Sequence, residues 1–150
     1  MLKSLITYLK MPASEKALVV RIVIRLTKSR IKIKYKPFRE LAAELGDKQG
    51  SQLPDITSSQ LDYATRVGVL IGGVSKWLPF RTMCFEQALT ASAFLKERGV
   101  GHSIHFGVKK NGDQSDQLEA HAWTTCGDAI ITGKRGHRQY QEVAVFSCAF

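Results

Sequence analysis

Hydrophobic and polar positions divide the chain into a helical first half and a strand-rich last third. "KSLITYLK" reads as a short amphipathic segment. Pro12 to Ser14 make a good helix entry, and Leu18, Ile22 and Leu26 then recur at helical spacing. "IKIKYK" alternates strictly, which suits a short edge strand or an extended link. Pro37 opens a further helix, "PFRELAAELG", closed by Gly46. "DKQGSQLPD" has the composition of a loop. Thr57 and Gln60 stand at capping-box spacing, and Leu61, Ala64, Val67, Ile71 and Val74 continue a buried stripe that ends before Pro79. The two glycines of "IGG" suggest close helix packing there.

A helix is predicted from near Thr82 to Gly99, with Thr82 as N-cap and Phe85, Ala88, Leu89, Ser92 and Leu95 on its buried face. "HSIHFGV" alternates, placing Ile104, Phe106 and Val108 on one side of a strand. "KKNGDQSDQ" is a polar, turn-rich connection. "LEAHAWTTC" and "AIITGK" form two strands joined at "GD", and "GHRQYQEVAVF" supplies a last one. Helices first and antiparallel strands afterwards predict an α+β fold rather than alternating βα units. Residues 1–80 form an N-terminal helical region, and residues 81–150 carry the cysteine-bearing helix and the sheet, within one compact domain.

Composition narrows the classes. A chain of 150 residues with 44% apolar and 23% charged positions suits a globular domain with its own core. No apolar run approaches the ~20 residues of a membrane span, and Arg21 and Arg25 interrupt "KALVVRIVIRLTKSR". The first residues lack a signal peptide's apolar core and cleavage site. Three cysteines, an odd number without framework spacing, suit a reducing cytoplasm. The net charge of +9 is uneven: from Lys3 to Lys36 ten Lys or Arg face one acid, Glu15. Such a surface suits acidic partners or is simply a solvated helix face. Only Tyr8 and Tyr35 interleave with these charges, which argues against a nucleic-acid module.

Cys84 stands in the first turn of its helix. Backbone N–H groups are unpaired there and the helix dipole favours a thiolate, so the place suits a nucleophile and an oxyanion. A buried structural thiol is the other reading. Cys126 and Cys148 have no such setting. Alternation puts Glu119, His121 and Trp123 on one face of their strand, with small Ala120 and Ala122 between them. His121 is therefore a candidate general base, or a hydrogen-bonded core histidine. His102 and His105 lie on opposite faces of their strand and form no zinc spacing with the cysteines. No metal or other cofactor is expected.

The stretch "LPFRTMCFEQALTASAFLKERGVGHSIHFGVKK … EAHAWTTCGDAIITG" resembles the B2-type leader peptidases of lasso-peptide biosynthesis, which are transglutaminase-like, papain-related cysteine proteases. The match runs through Pro79, Phe80, Arg81, Cys84, Leu95, Gly99, Gly107, Val108 and the "AHAW" of Ala120 to Trp123, and "KPFRELAAELG" is similar to the family's helical N-terminal part. The resemblance implies a transglutaminase-like core in which Cys84 is the nucleophile and His121 the general base and acid. It implies a thioester intermediate, with Phe80, Arg81, Gln87 and Trp123 near the peptide. It also implies partners: a precursor peptide, a separate small leader-recognition protein, since the chain has no room for a fused one, and a ring-closing synthetase. The basic N-terminal segment then offers a dock for the recognition protein or an acidic part of the leader.

Two departures from the family pattern stand out. Thr124 and Thr125 follow "HAW" where relatives commonly have Val–Glu. The acid that relatives place about twelve residues after the histidine is replaced by Gly133. Asp128, seven residues beyond His121, lies more than about 15 Å away if "GD" is a hairpin turn. Glu119, at i−2 and roughly 6–7 Å away, is the side chain in reach. A backbone carbonyl and Gln87 are further candidates to orient the imidazole.

Overall fold

A computed structural model describes residues 8–48, 53–110 and 117–150. Helix α1 spans Ala13–Tyr35 and α2 spans Phe38–Glu44. Strand β1, Asp47–Lys48, is followed by α3, Ser58–Ser75, and α4, Cys84–Glu97. Strands β2 (His102–Lys110), β3 (Leu118–Cys126), β4 (Ala129–Thr132) and β5 (Gln141–Cys148) complete the chain, with a 3₁₀ turn at His137–Gln139. The architecture is α+β. Five antiparallel strands run in the order β1-β5-β2-β3-β4. Helix α4 packs over β3, α3 over β4, and α1 against α4 and α3.

Local signals explain much of this. The Thr57 hydroxyl accepts from Gln60 N–H at 3.3 Å, and the Gln60 side chain accepts from Thr57 N–H at 3.0 Å, a reciprocal cap for α3. Ala64, Val67, Ile71 and Val74 are fully covered, whereas Leu61 stays at the surface. On α4, Ala88, Ser92 and Leu95 are buried with Ala91 and Phe94, and Phe85 and Leu89 are half-buried. One apolar cluster joins Ile22 and Leu26 of α1, Val67 and Ile71 of α3, and Phe94 of α4 with Cys126 and Ile131 of the sheet. The helices before residue 80 and the elements after it therefore share a core.

Four expectations are corrected. "IKIKYK" is the last part of α1, not a strand or extended link. The helical ladder already running through Ala13 to Arg30 propagates into it, and Lys36 N–H still reaches Lys32 O at 2.8 Å before Pro37 stops it. Asp47 and Lys48 leave the predicted loop to pair with Ser147 and Phe146, a bridge too short to show a pattern. The close-packing glycine of α3 is Gly68, where an added Cβ would lie 2.2 Å from Ile131 O. Gly72 and Gly73 face open space. Finally, the N-cap of α4 is Met83, so Cys84 is the first helical residue. The segments 3–7, 49–52 and 111–116 within the predicted N-terminal helix and polar loops lie outside the described residues. Among the described residues no helix is long and apolar enough to cross a membrane.

Candidate functional site

The loop before α4 is built to deliver Cys84. Glu86, buried at 4% exposure, accepts from Met83 N–H at 2.9 Å and so secures the first turn. Arg30 of α1 reaches Glu86 at 3.4 Å, donates to Arg81 O at 2.9 Å, and lies over the Phe80 ring at 4.8 Å. Gln87 donates to Thr82 Oγ1 at 3.1 Å. Phe80, Arg81 and Gln87 thus shape the entry to the cysteine helix. Cys84 itself is half-buried and packs against the cluster of Leu45, Ala88, Ile104, Ala122 and Phe146.

His121 stands at the free margin of β3. Pairing with β4 begins only at Thr124 opposite Thr132, so the strand beside His121 has β2 on one side alone. Just past β4 the chain turns through Gly133, whose φ is +74°. The Gly133 carbonyl accepts from His121 Nε2–H at 2.7 Å. Because a carbonyl can only accept, this bond fixes the proton of the neutral ring on Nε2 and leaves Nδ1 with the free lone pair. The position where the resemblance implied an acid therefore binds the imidazole through its main chain. A side chain has no place there: an added Cβ would lie 2.4 Å from Ala122 O, in the left-handed backbone region.

Glu119, the side chain expected to orient His121, has other partners. It accepts from the Tyr140 hydroxyl and pairs with Lys109 Nζ at 3.2 Å. The Tyr140 bond, then Lys109, holds its carboxyl below the ordinary carboxylate range. The carboxylate shares a face with His121, and the side chains it bonds directly are those of Tyr140 and Lys109.

Sequence reasoning missed the ring stack around His121. Tyr140 covers one side of the imidazole at 4.9 Å, and Trp123 stacks at 6.0 Å. Behind Trp123 lies His105, nearly parallel at 4° and 5.3 Å away. His105 Nδ1–H donates to Glu142 Oε2 at 2.7 Å, and its Nε2 is joined to Thr125 Oγ1 at 2.9 Å. Gly107, directly opposite His121, leaves room for the stack, since a Cβ there would sit 2.8 Å from Tyr140 Cβ. The available signal was His105 itself, at a position whose alternation points to the Trp123 side. His102, on the other face, has Nδ1–H donated to Val100 O and Nε2 bonded to Ser92 Oγ, both at 2.8 Å.

The register also says what is not brought together. Phe106 pairs with Ala122, and Gly107 with His121, so Ala122 faces the helices and His121 faces away. Cys84 packs on the Ala122 side. Thiol and imidazole belong to elements that pack on each other, but they approach β3 from opposite sides. No hydrogen bond joins them among the described residues. Cys126 and Cys148 are buried, and burial pushes the Cys126 thiol up.

No curated protein and no solved structure matches the chain significantly. Residues 17–145 match the transglutaminase-like superfamily, and this span takes in α1, the cysteine helix and four of the five strands almost completely. By that match, and in keeping with a helix-borne cysteine and a strand-borne histidine in an α+β fold, the chain belongs to the transglutaminase-like superfamily.

Proposed function

We propose that the protein is a cysteine endopeptidase that removes the leader from a ribosomally made lasso-peptide precursor. The observation that carries the reading is the 2.7 Å bond from His121 Nε2–H to Gly133 O. It performs the task of a third triad member, holding one tautomer so that Nδ1 can act as the base. His121 takes the proton of the Cys84 thiol, and the thiolate attacks the scissile carbonyl. Backbone N–H groups at the start of α4 stabilise the oxyanion. His121 then protonates the leaving amine, and water, deprotonated by His121, hydrolyses the thioester. The leaving amine is the new N-terminus of the core, which a separate ring-closing synthetase would use. For the attack, the imidazole must reach the thiol around the free margin of β3, and a peptide seated there is what would draw the two together. The setting is cytoplasmic, with a small separate recognition protein presenting the leader.

The test is incubation with a lasso precursor, with and without a recognition protein, read by mass spectrometry. Wild type should release the leader. Cys84→Ala and His121→Ala should fold and release none. Full cleavage by Cys84→Ala would end the proposal.

A second reading, a transglutaminase-like peptide-binding module without turnover, is favoured by one observation: Cys84 and His121 lie on opposite sides of β3. Thiol alkylation separates the two. Under the peptidase reading Cys84 labels much faster than Cys126 and Cys148, and His121→Ala slows it. Equal rates, unchanged by His121→Ala, favour the binding module.

A further inference from the structure

Helix α1 has two apolar faces. Val19, Ile22, Leu26 and Ser29 are buried against the core. On the opposite side, Ala17, Val20, Ile24, Thr27 and Ile31 follow one another at steps of 3, 4, 3 and 4, and Tyr35 lies one turn beyond. At 100° per residue this is one straight row about 27 Å long, diametrically opposed to the core side. It is in solvent: Val20 is 47% exposed, Ile24 48%, Ile31 52% and Tyr35 73%. The Thr27 hydroxyl is already used, because it donates to Val23 O at 2.9 Å. Buried packing and a surface helix's need for polarity both leave this second stripe unexplained.

The 3-4 spacing is that of a coiled-coil seam, in which the flanking e and g positions select the partner by charge. Here those positions hold Arg21 and Lys28 on one side and Lys16 and Arg30 on the other, and no acid. Arg21 already pairs with Glu97 and Arg30 with Glu86, whereas Lys16 and Lys28 have no acidic partner among the described residues. A second copy of the chain would set these cations against one another. An interfacial helix buries Trp, Phe or Leu in lipid, whereas this row is small or β-branched up to Ile31.

We propose that the outer face of α1 docks an amphipathic helix of a partner protein whose flanking positions are acidic. The partner's apolar seam covers Val20, Ile24 and Ile31, and its carboxylates meet Lys16 and Lys28. The proposal does not depend on the chemistry of Cys84.

The experiment titrates the isotope-labelled full chain with a synthetic four-heptad peptide carrying Leu at a and d and Glu at e and g. A matched peptide carries Lys at e and g. The acidic peptide should shift backbone amides of residues 17–35, and the basic one should bind at least about tenfold more weakly. The double variant Ile24→Asp, Ile31→Asp should keep its circular dichroism, because both residues are exposed, and lose the response. Equal binding of both peptides would overturn the proposal, as would an unchanged response in the double variant. So would self-association, or adsorption to phosphatidylglycerol vesicles, that the double variant abolishes while neither peptide shifts α1.

Discussion

On the helix side of the sheet, Ile104, Ala122 and Phe146 are closed over by Leu45 and Ala88, with Cys84 at the edge of that cluster. On the other side, Trp123, His105, His121 and Tyr140 form a ring stack tied by Glu142, Thr125, Glu119 and the Gly133 carbonyl. The first face is held by volume and excluded water, the second by directional bonds between partly exposed groups. The nucleophile candidate belongs to the first environment and the base candidate to the second. Stability should therefore reside with the thiol's side of β3, and chemical tuning with the imidazole's side.

Truncation of the apolar face should have the largest effect. Ile104→Ala, at a fully buried position, should cost about 2–5 kcal/mol in urea unfolding. If Glu142→Ala costs as much, the division between the faces fails.

Gly133→Asp introduces the acid that the resemblance implied and should still be harmful. The strained backbone alone should cost about 1–3 kcal/mol, and the blocked Cβ adds to it. Imidazole ¹⁵N shifts of His121 should show loss of the fixed tautomer. A variant that is as stable as wild type, with the tautomer retained, would show that the carbonyl is not what orients the ring.

On the bonded face, Glu142→Ala removes one partner of His105 and should cost less than about 1 kcal/mol, because Glu142 is exposed. It should loosen the stack, seen as a change in Trp123 fluorescence. An unaltered spectrum would mean that Glu142 does not hold His105 against Trp123.

The smallest expected effect is a slope with pH. Burial lowers the pKa of His102 below its ordinary 6.5. The unfolded chain therefore binds the proton first on acidification. Its contribution to stability is full above pH 6.5 and is lost as the pH falls below that value. Unfolding midpoints measured from pH 7.5 to 5 should show this loss, and His102→Asn should flatten it. The same slope in His102→Asn would assign the titration to another group.

Local chemistry made much of the molecule readable from the chain. The capping box at Thr57 and Gln60, the place of Cys84 in the first turn of α4, and the "GD" hairpin rest on contacts between near neighbours. Strict alternation also placed Glu119, His121 and Trp123 on one face before any contact was known. Alternation failed at "IKIKYK", where the same pattern serves a helix with one apolar row inward and one outward.

By itself the sequence determined most of the element types, the placing of Cys84 in the first turn of its helix, and the strand face that presents His121. Tertiary structure alone decided that β5 lies between β1 and β2, that Tyr140 and Lys109 claim Glu119, and that Gly133 binds His121. The reason is physical. Side-chain periodicity is written in the residue types, but a carbonyl is common to every residue, and only the folded turn decides which one meets the imidazole.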